Sequence, residues 1–357
     1  NWMWPRHTGD FALFRVYTDK DGKPAEYSEN NVPLKPKHYL PISLKGVEKG
    51  DFAMVLGNPG GTQRYMTSYG VKELLDITHP NRIKIRGAKQ ELMMEDMLAD
   101  PKVKIQYATK HSRSSNYWKF SIGQSKGLKR LNIYEKKKDR EDQFMNWVNQ
   151  SPERQKKYGN ALELIKEGIN GRADIKHAQQ YLFECFFYGT ELYDFALDFR
   201  KLENVLESNE LDQVQPAVDQ LTERTDLFFK DYNPATDKKI TKALLKLYYT
   251  DVPAEYHPAL YTHISKKLNN ENYEKLIDKY VDKLFGKSIF TDKEEVYNLL
   301  NNKSLKTLQK DMAYIDALTI LDTYRKVYYG GQDMDAKIER GRRLWMAGLM
   351  EWKEDKK

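Results

Sequence analysis

The sequence predicts an α+β protein in which a short β region, residues 1–61, precedes a large all-α region, residues 62–357. Bulky apolar runs separated by turn residues lie before residue 62, which is the pattern of strands. Apolar residues at the i, i+3 and i+4 spacing of helices dominate from about residue 71 onward. A chain of 357 residues is also longer than one small core requires, so we expect two domains.

Two runs in the first region predict strands. Residues 11–17 are bulky and partly β-branched, and the turn residues 19–22 (DKDG) follow them. Residues 52–56 form a second apolar run, which ends at the glycine- and proline-rich segment 57–61. Because two strands cannot close a sheet, we expect residues 1–61 to be part of a larger β structure.

The second region carries helical periodicity nearly throughout. Residues 86–98 show it first, and residues 103–149 predict either one long helix or a broken pair, with Gly123 and Gly127 as weak points. Ser151 before Pro152 is typical of a helix N-cap followed by its first residue. The remaining predicted helical segments are residues 175–206, 211–229, 239–249, 271–285, 294–300, 305–328 and 334–352.

Composition argues against several classes of protein. No apolar run reaches the roughly 18 residues of a membrane-spanning helix, so we expect no membrane span. A single cysteine, Cys185, excludes an intramolecular disulfide scaffold. The net charge of +7 comes from interleaved signs, and acidic residues interrupt the basic stretch 129–142, so a nucleic-acid partner is disfavoured.

Motifs for metals and nucleotides are absent from the sequence. It contains no HExxH, CxxC or P-loop pattern, and its seven histidines are scattered. His257 and His263 lie six residues apart, with Pro258 between them, so they would occupy different faces of a helix. We therefore expect no metal site and no cofactor.

Two local segments allow a functional interpretation beside a structural one. In residues 1–10, two tryptophans precede Asp10 at the root of the first strand, and Asp10 either caps a backbone N–H or orients a catalytic histidine. Residues 111–119 are polar and aromatic within a helical stretch. They form either a solvated helix face or a face that presents an Asn side chain toward a cleft as an acceptor for a cation.

Three blocks of sequence together resemble a known family. The blocks are residues 4–11 (WPRHTGDF), 57–65 (GNPGGTQRY) and 115–119 (SNYWK), and their order and spacing resemble the bacterial serine dipeptidyl-peptidases 7 and 11. The resemblance covers essentially this whole chain but only about half of such an enzyme, so we expect a segment from its middle. It implies that residues 1–61 are part of a chymotrypsin-like β-barrel and residues 62–357 a helical cap domain.

The resemblance also implies roles for individual residues. Asp10 would be the aspartate of a Ser-His-Asp triad whose histidine precedes Asn1 and whose serine follows Lys357, so this chain alone would be inactive. Asn1, Trp2 and Asn116 would bind the free α-amine of the substrate. The implied substrates are oligopeptides with a free N-terminus.

The setting of the protein is implied by the same resemblance. It implies a precursor with a signal peptide, a periplasmic or cell-surface or secreted location, and a homodimer. The alternative to the enzyme hypothesis is a non-enzymatic helical interaction module or an inactive relative.

Overall fold

The computed structural model describes residues 12–52, 54, 61, 63–208, 210–265 and 272–353. The chain divides into two compact units, residues 1–62 and 63–357. The predicted large all-α region agrees with the structure, which is 76% helical. The predicted α+β class with a partial chymotrypsin-like barrel is wrong, because the described residues contain two short strands in one small sheet and no barrel.

The small sheet belongs to the first unit. Strand β1 (Tyr17–Thr18) pairs antiparallel with β2 (Val32–Pro33), so that Tyr17 lies opposite Pro33. The predicted strand 11–17 is formed only at its end, where Tyr17 is in β1 and the Val16 carbonyl accepts from the Leu34 N–H at 2.9 Å, while the Phe14 side chain is 92% exposed. Most of the predicted strand 52–56 lies outside the described residues. An apolar run predicts a strand, but a sheet requires non-local partners that the run does not specify.

The predicted turn after β1 is confirmed. The Asp19 Oδ1 atom accepts hydrogen bonds from the backbone N–H groups of Asp21 at 2.9 Å and Lys23 at 2.7 Å. Gly22 has a φ of 80°, in the left-handed region that glycine adopts at no steric cost. The local chemistry of this turn was sufficient to predict it.

The second unit is built from helices. In chain order they are α1 (Ser68–Glu73), α2 (His79–Ala99), α3 (Pro101–Arg130), α4 (Ile133–Asn149), α5 (Pro152–Tyr158), α6 (Ala161–Gly171), α7 (Ala173–Leu182), α8 (Glu191–Asp198), α9 (Arg200–Glu207), α10 (Leu211–Lys230), α11 (Pro234–Asp251), α12 (Leu260–Ser265), α13 (Tyr273–Lys287), α14 (Lys293–Asn302), α15 (Leu305–Leu308), α16 (Met312–Gly330) and α17 (Gln332–Lys353). Short π-helical turns follow α1 (Leu74–Thr78) and α7 (Phe183–Phe187). No helix in the described ranges is both long and apolar enough to cross a membrane.

Helix ends follow the expected capping chemistry. The Asp100 side chain caps α3 by accepting from the Lys102 N–H at 2.8 Å. The predicted N-cap Ser151 is confirmed, since its hydroxyl accepts from the Arg154 N–H at 3.5 Å. Between α3 and α4 the chain does break, but at Asn132, which has a φ of 50°, and not at the two predicted glycines. Glycine weakens a helix by only about 1 kcal/mol, which packing readily offsets.

Two hydrophobic clusters stabilise the second unit. The larger lies among α2, α3 and α7–α16, with Tyr107, Tyr248 and Phe195 among its fully buried side chains. The smaller joins α4, α5, α6 and α17 around Phe144 and Trp345. Helices α2 and α3 are antiparallel neighbours that share only Asp100 as a connection, so they form the hairpin on which the candidate site is built.

Candidate functional site

A cleft of about 720 Å³ opens in the helical unit. Its walls come from the α2–α3 hairpin, from the chain after α7, and from α8 and α10. The cationic side chains that line it are Arg82, Arg86, Lys89, Lys110, Arg113 and Arg224. The carboxylates that line it are Glu184, Glu191, Asp194 and Asp231, so cations outnumber anions.

An ion-pair network forms one side of the cleft. Arg86 donates to Glu184 from Nε at 2.6 Å and from Nη2 at 3.3 Å, and Arg82 donates to the same carboxylate from Nε at 3.0 Å. The Glu184 side chain is only 3% exposed, so its charge is buried against both guanidinium groups. One carboxylate thus neutralises one of two positive charges, which leaves this side of the cleft with a net positive charge.

Local helix geometry explains how the network assembles. Arg82 and Arg86 are four residues apart on α2 and therefore lie on one face of the helix. Glu184 lies on the π-helical turn after α7, which inserts an extra residue per turn and is frequent at functional sites. The Tyr117 ring of α3 covers both guanidinium groups, with centroid distances of 5.2 Å to Arg86 and 5.9 Å to Arg82.

Three hydrogen bonds hold the middle of α3 against α2. Arg86 Nη1 donates to the Ser114 carbonyl at 3.2 Å, and Arg82 Nη1 donates to the Ser121 hydroxyl at 3.4 Å. Between them, the indole Nε1 of Trp118 donates to the Ile83 carbonyl at 3.1 Å. The segment of α3 from residue 114 to 121 is therefore fixed in register by side chains as well as by its own helix.

Asn116 lies at the centre of this fixed segment. Its side chain is exposed, whereas the preceding Ser115 is buried. Asn116 does not line the cleft itself, but Arg113, one turn earlier, and the adjacent Tyr117 do. Among the described residues, no hydrogen bond engages the Asn116 amide, so both its acceptor and its donors are available.

Two lysines also line the cleft. Lys89 Nζ donates to the carbonyl oxygens of Tyr188 and Gly189, both at 2.7 Å. Burial lowers the pKa of Lys89, and the nearby carboxylates of Glu191 and Asp237 oppose that shift. Lys110 forms an ion pair with Glu191 and also donates to the backbone carbonyl oxygen of Asp231, the residue after α10.

The facing wall carries a second ion-pair group. Arg224 on α10 contacts Asp198 at 2.7 Å and Asp194 at 3.8 Å. Burial and the neighbouring Asp198 raise the pKa of Asp194 to about 6, while Arg224 opposes the shift. On this wall two carboxylates therefore share one guanidinium group.

The sequence-predicted site residues divide into two groups. Asn1, Trp2 and Asp10 lie outside the described residues. Asn116 is described and lies on the exposed face of α3 beside the cleft, and its role remains a prediction. Within the described part of the chain, no group of three or more His, Cys, Asp or Glu side chains is arranged to hold a metal ion.

Three other features of the helical unit that could suggest catalysis, namely Cys185, His257 and the segment 123–127, are explained by their structural context. Cys185 is fully buried, and burial raises the pKa of its thiol well above the usual range, so the thiolate nucleophile is disfavoured. His257 forms a hydrogen bond with the Val252 carbonyl at 2.8 Å. Residues 123–127 (GQSKG) match a G-x-S-x-G spacing, but they lie inside α3 and not at a strand-to-helix turn, where that motif places a nucleophile.

Sequence reasoning did not single out Arg82, Arg86 or Glu184. The available signal was Glu184 itself, a charged residue inside the apolar run 183–187, because a charge in such a run requires a partner when buried. The identity of the partners was not readable, since they lie 98 and 102 residues away along the chain.

Comparison with known proteins covers the whole chain. A family model described as Peptidase S46 matches residues 1–357. The chain is 37% identical over 351 residues to dipeptidyl-peptidase 7 of Porphyromonas endodontalis, which covers 97% of this chain and 41% of that protein. It is 34% identical over 357 residues to an Asp/Glu-specific dipeptidyl-peptidase of Porphyromonas gingivalis, covering 99% of this chain and 48% of that protein.

The fold is similar to that of a solved enzyme. The crystal structure of Porphyromonas endodontalis DPP11 in complex with the dipeptide Arg-Glu matches with a TM-score of 0.82 and 30% sequence identity. The match covers 99% of this chain and 50% of that chain. The chain therefore spans about half the length of the relatives it matches.

Proposed function

The chain belongs to the peptidase S46 family, and on this basis we propose that it is a segment of a serine exopeptidase that removes dipeptides from the free N-terminus of oligopeptides. The observation that carries the proposal is Asn116, whose uncommitted amide lies on a rigidly held helix face beside a charged cleft. The relatives named dipeptidyl-peptidases support the reaction class.

The reacting groups of the proposed enzyme are shared with polypeptide outside this sequence. In the proposal Asp10 holds the catalytic histidine in the correct tautomer and stabilises its imidazolium, while the histidine and serine come from the rest of the enzyme. The chain's length, about half that of its relatives, supports this division. On this proposal the isolated chain releases no dipeptides.

Asn116 is proposed to bind the substrate's α-amine together with Asn1 and Trp2. An ammonium group taken from water requires oriented acceptors, and an amide oxygen supplies one without adding a charge. The Trp2 ring face can add a cation–π contact. An amine held at a fixed distance from the serine makes the enzyme cleave after the second residue.

The rigidity of α3 supports this role for Asn116. The contacts of Trp118 with Ile83 and of Arg86 with Ser114 fix the helix on both sides of the asparagine. Fixed acceptors lose little entropy when the amine binds, so more of the interaction remains as affinity. A side chain on a mobile loop would not define the two-residue distance as sharply.

The decisive experiment compares the amine requirement of two variants of the full-length enzyme. We expect Asn116→Ala to weaken inhibition by a free product dipeptide roughly 10- to 100-fold, because a charge-assisted hydrogen bond is lost. Binding of the N-acetylated dipeptide should change little, and the melting temperature should be unchanged. The matched control is Asn149→Ala, which alters an exposed asparagine at the end of α4.

A wild-type enzyme that binds free and acetylated dipeptides equally well would contradict the proposed function. Equal weakening of both ligands by Asn116→Ala would contradict the role of this residue alone.

The proposal extends to the setting of the full-length protein. We propose a periplasmic, cell-surface or secreted location after removal of a signal peptide, and a homodimer, because the three sequence blocks resemble enzymes of that kind. Cell fractionation tests the location, and light scattering of the full-length protein tests the dimer. A cytosolic monomer would contradict both statements.

A further inference from the structure

In the part of the chain that the structure describes, one guanidinium group of the cleft beside Asn116 has no protein partner. We propose that Arg113 binds the acidic side chain of the substrate's first residue, so that peptides beginning with Glu or Asp are preferred. The inference rests on the proposed function, since it takes the amine of that first residue to be bound at Asn116.

Arg113 differs from the other cations of the cleft in the partners that each one contacts. Arg82 and Arg86 share Glu184, Lys110 pairs with Glu191, and Arg224 pairs with Asp194 and Asp198. Lys89 is held by two backbone carbonyl groups. Within the described ranges, no ion pair, hydrogen bond or ring contact engages Arg113, although it lines the cleft.

The four carboxylates that line the cleft offset only part of the charge of its six lining cations. Asp231, the C-cap residue of α10, is the remaining lining carboxylate outside the ion pairs of the described residues. The two arginines that share Glu184 leave a further positive charge nearby. The cleft therefore has an excess of positive charge that an anionic side chain can neutralise.

The position of Arg113 suits the first residue of a peptide. Arg113 precedes Asn116 by three residues, so their side chains are neighbours on the helix surface, with Cβ atoms about 5–6 Å apart. A glutamyl residue carries its amine and its side-chain carboxylate a similar distance apart. The two groups of one residue can therefore contact Asn116 and Arg113 together, and the guanidinium fork matches a carboxylate in bidentate geometry.

The surrounding surface suits the methylene groups of such a side chain. Tyr117 and Leu227 line the cleft and remain 55% and 60% exposed. Their apolar surface is available to the aliphatic part of a glutamyl residue. Arg113 repels the nearby ammonium whatever the first residue is, and only a side-chain carboxylate adds an attraction that offsets this repulsion, so discrimination arises from that added attraction.

The test uses dipeptide inhibitors of the full-length enzyme that share their second residue. Glu at the first position is compared with Met, which has a similar length and no charge. We expect the wild-type enzyme to bind the Glu dipeptide more tightly, and Arg113→Gln to weaken its binding about tenfold. The Met dipeptide should bind Arg113→Gln as well as or better than wild type, and Arg113→Lys should restore part of the preference.

Lys119 supplies a matched control. It is an exposed cation three residues after Asn116, as Arg113 is three residues before it, but it does not line the cleft. Lys119→Gln should therefore retain the wild-type ratio of the two inhibition constants. Equal loss of preference in Lys119→Gln and Arg113→Gln would point to a general charge effect and overturn the inference.

Two results separate this inference from the proposed function. If the enzyme requires a free amine but Arg113→Gln leaves the Glu-to-Met ratio unchanged, the inference is wrong and the peptidase proposal stands. If the wild-type enzyme binds free and acetylated dipeptides alike, the proposed function fails, and the inference fails with it.

Discussion

The hairpin of α2 and α3 and the crossing of α6 with α17 show two different ways to pack helices in one unit. The hairpin is held by guanidinium and indole groups that bond across the interface. The same two guanidinium groups also bind the Glu184 carboxylate on the π-helical turn after α7. The α6–α17 crossing depends on Gly168 of α6 and Gly341 of α17, where the two backbones come close together. A Cβ at Gly168, for example, would lie 2.7 Å from the Met334 carbonyl oxygen. The first interface leaves polar groups next to a cleft, whereas the second leaves no room for a ligand.

The two interfaces should differ in the kind of substitution that destabilises them. A polar interface is stable only when each buried charge has its partners, so it is specific in register and sensitive to charge. An interface of glycines and apolar side chains gains its free energy from close contact and is sensitive to volume. Charge changes should therefore damage the first interface and volume changes the second.

The largest expected effect comes from removing the charge of Glu184. Glu184→Gln leaves the Arg82 and Arg86 guanidinium groups, 21% and 12% exposed, without their carboxylate. We expect the free energy of unfolding to fall by about 3 kcal/mol, because a largely buried pair is broken from one side. Urea unfolding measures the change.

The exposed pair of Glu163 and Lys166 provides the comparison for that variant. Glu163→Gln makes the same chemical change at the surface and should alter the free energy of unfolding by under about 0.5 kcal/mol. Similar values for Glu184→Gln and Glu163→Gln would show that the hairpin does not depend on its buried charge.

The packed crossing should respond to volume. A Cβ at Gly341 would lie 2.7 Å from the Ala161 carbonyl oxygen and 3.1 Å from the Ile165 backbone nitrogen, so the helices must separate. We expect Gly341→Ala to lower the free energy of unfolding by about 2 kcal/mol. The control, Gly123→Ala in α3, meets no atom within 4 Å and should raise stability by about 0.5–1 kcal/mol. A neutral Gly341→Ala would mean that the crossing is not closely packed.

A buried carboxyl group extends the comparison to pH. Asp316 on α16 accepts from the Tyr280 hydroxyl at 2.8 Å and the Tyr193 hydroxyl at 3.2 Å, and burial raises the pKa of Asp316 to about 7. Between about pH 4 and pH 7 the folded state holds this proton and the unfolded state has lost it. The free energy of unfolding should therefore fall as pH rises through this window, by roughly 1 kcal/mol per pH unit for one group.

Asp237, whose pKa burial also raises to about 7, contributes in the same direction. Asp316→Asn should remove the contribution of Asp316 to the pH dependence and leave that of Asp237. The plot of unfolding free energy against pH should therefore become less steep without becoming flat. Urea titrations across this window measure the slope. An unchanged slope in Asp316→Asn would assign the whole pH dependence to other groups.

Features that depend on a few consecutive residues were predictable from the sequence. The Asp19 turn, the Ser151 cap and the presence of a large helical region follow from local hydrogen-bonding chemistry. Of the predicted strand 11–17, only Tyr17 belongs to a strand of the described residues, because pairing needs a partner that the pattern does not specify. Most of the predicted strand 52–56 lies outside the described residues. Within the predicted segment 175–206, the break between α7 and α8 was missed; a π-helical turn, Phe183–Phe187, precedes it.

The candidate site was predictable only in part. The segment 115–119 marked Asn116 by its pattern, and the structure describes the helix that carries it. The network of Arg82, Arg86 and Glu184 was invisible, because ion pairing depends on which distant helices meet.

By itself the sequence determined the helical periodicity, the caps and the family blocks, since each is written within a few neighbouring residues. Only the tertiary structure decided that Glu184 would meet two arginines of α2 and that Arg113 would have no partner among the described residues. The physical reason is that backbone hydrogen bonds in a helix span four residues, whereas the partner of a side-chain charge is chosen by the packing of the whole unit.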